Sequence, residues 1–184
     1  MGMAYRHSIL HDLLDRLARI ISSDAWSDDL NPTQRAALSY LARANRFSRS
    51  PSHVADYLCA TRGTVSQTLK ALARKELVNE VRSETDRRSI AYEVTRRGEV
   101  LVNSASAIDD VLNALPDEVA DSLTEELSSL VRATLARRGG KSFGICKTCQ
   151  HHRPHEAGGW CALLDVDLDP AETSQLCHEH VEAA

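Results

Sequence analysis

Residues 54–95, VADYLCATRGTVSQTLKALARKELVNEVRSETDRRSIAYEVT, decide the fold. Val54, Ala55 and Leu58 recur at helical spacing, and after a short break Val65, Leu69 and Leu72 do so again. Thr61 stands between the two runs as a helix N-cap. The second helix therefore turns Thr64, Ser66, Gln67 and Lys70 outward, short polar groups beside one cation, which suits a helix that reads base edges in a major groove. Strand patterns follow over residues 77–81 and 89–94, joined by a seven-residue polar loop too long for a tight hairpin but natural for a wing. Arg87 and Arg88 at its tip suit the DNA backbone or the minor groove. The pattern predicts a winged helix-turn-helix DNA reader.

Charge is distributed as that reading requires. Residues 43–97 hold 12 Lys and Arg against 6 Asp and Glu, a local balance of +6, although the whole chain carries −4. Upstream, Ile9, Leu10, Leu13, Leu14, Leu17, Ile20 and Ile21 give a first amphipathic helix. A second opens at Asn31-Pro32-Thr33-Gln34, with Asn31 as cap, Pro32 in the first turn and Gln34 reaching back. Ala37, Leu38 and Leu41 form its inner face, and Ser50-Pro51 opens the third helix by the same logic. Beyond the wing, Gly98 marks a break before a fifth helix bearing Val100, Leu101, Ile108, Val111, Leu112 and Leu115. Pro116-Asp117 begins a sixth, which Gly139 closes with a left-handed cap.

The expected architecture is mainly α with a small β-wing. Residues 1–30 form an N-terminal dimerisation helix, 31–98 the winged helix-turn-helix, 99–140 the C-terminal dimerisation helices, and 141–184 a cysteine-rich metal-binding lobe. The long apolar stripes at both ends serve either a monomeric core or a two-fold dimer. The dimer is preferred, because helix-turn-helix proteins read paired half-sites.

TRGTVSQTLKALARKELV (61–78) followed by DRRSIAYEVTRRG (86–98) resembles the recognition helix and wing of the MarR family, the multiple antibiotic resistance regulators. The likeness extends over roughly residues 5–138. It implies a homodimeric regulator, a repressor or activator, whose hold on a double-stranded operator is altered by a small-molecule, metal or redox signal. It further implies that Asp86 supports the wing and that Arg88 enters the minor groove. Glu76 stands where the family commonly has glycine.

His7, His11 and His53 read as surface or packing histidines rather than ligands, and Cys59 as a small buried hydrophobe on the third helix. The other four cysteines crowd the tail. Cys146 and Cys149 form a CxxC, Cys161 follows after 11 residues, and Cys177 after 15 more. A segment of about forty residues buries little apolar area alone, so a metal held by these four thiolates would staple it. Zinc is the first expectation, with His151, His152, His155, His178 and His180 as substitute ligands. An iron–sulfur cluster is the alternative, since the cysteine spacing with Gly-Trp-Cys resembles that of high-potential iron–sulfur proteins.

A redox enzyme using the tail cysteines is the rival function. No strand pattern precedes the CxxC, and the sequence has no His-Glu-x-x-His, phosphate-binding glycine loop or serine elbow. No apolar run approaches a membrane span or a secretory core, and the chain reads as cytoplasmic.

Overall fold

The computed structural model describes residues 3–26, 30–82, 90–104 and 106–183, with side chains from His7 onward. Its helices are α1 (Met3–Asp24), α2 (Pro32–Arg43), α3 (Pro51–Tyr57), α4 (Arg62–Arg74), α5 (Arg96–Val102), α6 (Ala107–Asn113) and α7 (Asp117–Arg138). Strands β1 (Val78–Arg82) and β2 (Ile90–Val94) pair antiparallel, with Val78 opposite Val94 and Arg82 opposite Ile90. The result is a mostly helical chain with a small β-wing, as the sequence predicts.

Local chemistry sets the helix starts. The Asn31 side chain accepts from the Gln34 backbone N–H at 2.9 Å, and the Gln34 side chain accepts from the Asn31 N–H at 3.3 Å, a reciprocal capping box. Ser50 caps α3 through the His53 N–H, and Thr61 caps α4 through the Thr64 N–H. The core lies where α2, α3, α4 and the base of the wing meet. Leu38, Leu41, Val54, Val65, Leu69 and Leu72 are completely buried there. Tyr40 is buried with them; its hydroxyl donates to the Ser48 carbonyl at 2.7 Å, and desolvation pushes its pKa well up.

Two expectations need correction. Gly98 does not precede the fifth helix but lies buried inside it, because a Cβ there would collide with the Leu77 carbonyl oxygen. The expected single fifth helix is two helices, α5 and α6. Asn103 ends the first, and Ser106 opens the second with a capping box to Asp109. Local hydrogen bonding by short polar side chains outcompetes the helix ladder at that junction.

The apolar faces of the terminal helices are outside the core. Leu10 is 52% exposed, Leu13 58%, Val111 58% and Val131 55%. No helix among the described residues is long and apolar enough to cross a membrane.

The tail is a separate small assembly of short elements. Strands β4 (His152–His155), β5 (Gly158–Cys161) and β6 (Val166–Leu168) form an antiparallel meander, and a short helix α8 (Pro170–Thr173) follows. Strand β3 (Gly144–Ile145) pairs with β7 (Leu176–Cys177), bringing Gly144 opposite Cys177. Cys146, Cys161 and Leu168 are the buried centre, with Phe47, Leu164 and Val166 packed on them.

The turn out of α4 carries a backbone cost. Glu76 sits at φ 58°, the left-handed region, and Leu77 donates back to the Leu72 carbonyl at 3.0 Å as such helix ends require. Its side chain reaches Arg97 only at 3.8 Å on an exposed surface, which offsets little. Glu76→Gly is therefore expected to stabilise the fold by about 1 kcal/mol, read as a higher denaturant midpoint with unchanged slope. A lower midpoint would show that the glutamate side chain contributes more than its backbone costs.

Candidate nucleic-acid interface and cysteine lobe

Helix α4 buries Val65, Thr68, Leu69 and Leu72 and leaves the opposite face open. Thr64, Gln67 and Lys70 are exposed there, and Ser66 is half-buried at the edge. The first and last of the polar hydroxyls on this helix are not equivalent. The Thr64 hydroxyl shares a 2.9 Å hydrogen bond with the Thr61 cap, whereas the Thr68 hydroxyl turns back to the Thr64 carbonyl at 2.9 Å. Gln67 and Lys70 are the reaching groups of this face. Arg62, at the first helical position and exposed, adds a cation at the end that enters a groove first. Arg62 is not among the residues singled out from the sequence; its position one residue past the Thr61 cap is the signal that could have found it. Asp86, Arg87 and Arg88 lie outside the described residues, and the described ribbon ends on Arg82, which pairs with Glu80 at 3.4 Å.

Cys59 is a further correction. It is exposed, and it follows the end of α3 with φ 51°. The helix stops at Tyr57, and Ala60 donates to the Ala55 carbonyl to close its end, so the thiol is thrown outward rather than into the core.

In the lobe, Cys146, Cys161 and Cys177 are buried and Cys149 is half-buried. Burial, reinforced by Cys177, Cys161 and Cys149 nearby, pushes the Cys146 thiol up to about 12. Cys146 and Cys161 share one small buried cluster with Leu168. The Cys177 thiol is also raised by burial, against the pull of three donors: the Asn45 side chain, the Glu179 backbone N–H and the Ser48 hydroxyl. Cys149 accepts from the Val181 N–H at 3.5 Å. Donors aimed at sulfur stabilise thiolate over thiol. A cation among four thiols would do the same more strongly, releasing protons as it binds.

The histidines near these cysteines have other partners in most cases. Buried His178 meets Asp56 and Glu179 with its two ring nitrogens, each at 3.1 Å, and stacks on His53 with ring centroids 3.9 Å apart. Burial holds the His53 pKa below its ordinary value. His180 shares a 2.9 Å hydrogen bond with Thr148, and His155 approaches Asp167 at 3.4 Å. His152 keeps a buried Nε2 with no partner among the described residues.

The lobe is bolted to the reader. Asn45 N–H donates to the Leu176 carbonyl at 2.9 Å, and His178 N–H donates to the Ser48 hydroxyl at 2.9 Å. Arg46 pairs with buried Glu172 and also donates to the Asp167 carbonyl at 2.8 Å. Phe143 sets its edge against Tyr40 and Tyr57 at centroid distances of 5.8 and 5.0 Å. A cavity of about 690 Å³ opens beside this seam, walled by Tyr57, Leu127, Val131, Phe143 and Leu176 with His180 at one side.

Residues 28–89 match the family model described as the MarR family. The HTH-type transcriptional regulator MhqR of Bacillus subtilis (strain 168) is 29% identical over 103 residues, which cover 53% of this chain and 70% of that protein. Streptococcus pneumoniae FabT, solved in complex with DNA, superposes with a TM-score of 0.56 at 20% identity, over 72% of this chain and 97% of FabT. A MarR transcriptional regulator from Methanosarcina mazei Go1 gives 0.57 at 20% identity, over 70% of this chain and 98% of that one. Nearly the whole of each structural relative is thus accounted for by less than three quarters of this chain.

Removing Arg46 tests the seam. Arg46→Ala leaves the Glu172 carboxylate buried with the Asp169 N–H as its remaining donor among the described residues. Because the arginine is half-exposed, the expected loss is about 1–2 kcal/mol, together with faster proteolysis after residue 141. Unchanged proteolysis would mean that the strands and the Phe143 contacts hold the lobe unaided.

Proposed function

We infer that this chain is a DNA-binding transcriptional regulator of MarR type, working as a homodimer. The observation that carries the reading is that the residues matching the family also build the helix whose polar face stands open to solvent. The relatives are regulators, which supports this reading over the redox-enzyme alternative. Gln67, Lys70, Thr64 and Ser66 are the groups proposed to face the bases, with Arg62 at the groove entrance. Arg87 and Arg88 are proposed to hold the flanking backbone or minor groove, with Asp86 supporting the wing.

The exposed stripes of α1, α6 and α7 support the two-fold assembly. Leucine, isoleucine and valine side chains roughly half-exposed along three helices form a surface that a second copy can cover. The two α4 helices would then enter successive half-sites. A small-molecule effector is proposed for the cavity between α3, α7 and the lobe, whose wall is chiefly apolar. The lobe is proposed to bind metal through Cys146, Cys149, Cys161 and Cys177, as zinc or as an iron–sulfur cluster. Support comes from three buried cysteines, the cluster that Cys146 and Cys161 share, and the Val181 N–H donated to Cys149.

Two measurements test the DNA and dimer readings. With a duplex selected by this protein from a random-sequence pool, Gln67→Ala is expected to cost about 1–3 kcal/mol and relax preference at one position. Arg88→Ala is expected to weaken binding to all sequences and to reduce the log–log salt slope by about one. Equal loss across sequences for Gln67→Ala, or an unchanged slope for Arg88→Ala, would remove that residue from the interface. Leu123→Glu places a charge on the exposed face of α7 and is expected to give monomers in sedimentation. A dimer that persists would move the interface elsewhere.

A further inference from the structure

The four cysteines differ in arrangement from a single-ion site. One zinc ion bonded to sulfur at about 2.3 Å draws its thiolates to roughly 3.8 Å of one another. Among the described residues, the group of three potential ligands whose donor atoms all lie within 4.8 Å is His53, His178 and Glu179, and no three of the cysteine sulfurs are so close. That histidine pair does not itself make a convincing ion site. Its rings are stacked at an interplanar angle of 22°, and imidazole lone pairs lie in the ring planes, so the two do not converge on one point. A cluster of several irons bridged by sulfide places its ligands on outer corners, and so needs thiolates spread more widely than one ion does.

The supply of ligands and the surroundings agree. Only Cys146 and Cys149 come as a knuckle, flanking a 3-10 turn, while Cys161 ends β5 and Cys177 ends β7. Three separate elements therefore wrap the site, rather than two paired knuckles gripping one ion. Leu168, Phe47, Leu164 and Val166 pack beside Cys146 and Cys161, keeping water away. The Val181 N–H reaches Cys149 at 3.5 Å, a contact of the kind by which a protein tunes iron–sulfur clusters.

Cys177 also joins the site to the reader. Asn45 and Ser48, both buried in the connection between α2 and α3, lie against this strand end. The residues flanking Cys177 bind the same connection, through Leu176 to Asn45 and His178 to Ser48. The His178 ring continues to Asp56 on α3, the helix that packs on α4.

We propose that the lobe holds an iron–sulfur cluster whose presence braces α3 through residues 45–48, so that operator affinity rises with cluster occupancy. The proposal rests on the readings of the lobe as a metal site and of the chain as a DNA-binding regulator. The regulated variable is assembly or loss of the cluster. Because linkage is reciprocal, DNA binding must protect the cluster by the factor that the cluster adds to DNA binding.

The full-length chain is purified without oxygen and treated with ferrous iron and sulfide. Iron, acid-labile sulfide, zinc and visible absorbance are measured, and affinity for the selected duplex is compared before and after cluster removal by a chelator. The expected result is a brown protein containing iron and sulfide that binds DNA about tenfold more tightly than its cluster-free form. Ser48→Ala keeps every thiol but removes the hydroxyl between Cys177 and His178. It is expected to retain the absorbance while most of the affinity difference disappears, with Arg46→Ala as a second uncoupling variant should Ser48→Ala fold poorly. A colourless protein with stoichiometric zinc that takes up no sulfide overturns the cluster and leaves the four-thiolate site standing. Absence of any bound metal overturns that site as well. Equal affinity with and without the cluster overturns the coupling, and failure of both forms to bind DNA overturns the regulator reading itself.

Discussion

The connection between α2 and α3 is the constraint on which both halves of this chain depend. Residues 44–48 are too few to shield their own backbone, yet Ala44, Asn45 and Ser48 are buried. Every polar group buried there needs a partner. The Ser48 carbonyl receives the Tyr40 hydroxyl from the reader's core, while its side chain receives the His178 N–H from the lobe. Asn45 sends its backbone N–H to Leu176, while its side-chain Oδ1 is buried with no partner among the described residues. The same few residues therefore complete the helix-turn-helix and seat the tail. Loosening one side exposes hydrogen-bonding groups belonging to the other.

Such a seam differs in kind from the apolar surfaces at the chain's ends. The reader encloses Leu38, Leu41, Val54, Val65, Leu69 and Leu72, with Phe143 and Leu176 of the tail packed against that core. Helices α1, α6 and α7 carry as regular a periodicity but bury little of it within one chain. Hydrophobic periodicity states that a face will be covered and leaves open by what. Within a single chain that difference separates a folding core from an assembly surface.

The features legible in the sequence were those decided by neighbours in the chain. Asn31 and Gln34, Ser50, Thr61 and Gly139 all end helices where their chemistry predicts, since a cap is satisfied within three or four residues. The glycine-like turn at Glu76 was visible as a departure from the family pattern, and its positive φ gives that departure a physical meaning. The misplaced Gly98 break was illegible because a carbonyl 21 residues away in sequence, that of Leu77, excludes a side chain there. Cys59 looked apolar by composition, but its exposure follows from where α3 stops. Arg46 and Glu172, 126 residues apart, gave no local sign of pairing. The crowding of four cysteines in the tail was legible in the sequence, whereas the tail's seat on the reader was not.

Placement of the lobe on α3 rather than on α4 has a consequence for how a signal could act. Groups that touch bases must keep their own geometry, and the lobe's hydrogen bonds to the reader fall on Asn45, Arg46, Ser48 and Asp56. Val65, Leu69 and Leu72 instead lock α4 to the shared core, together with Val54 and Ala55 of α3. A close-packed interior transmits displacement rather than absorbing it. A small shift of α3 would therefore carry α4 with it as a body, leaving Gln67 and Lys70 correctly arranged on their helix but misplaced relative to the partner's half-site. In a two-fold reader, affinity depends on the spacing of two intact helices. On the proposed coupling, the lobe would bias that spacing while the side chains proposed to read bases keep their places on α4.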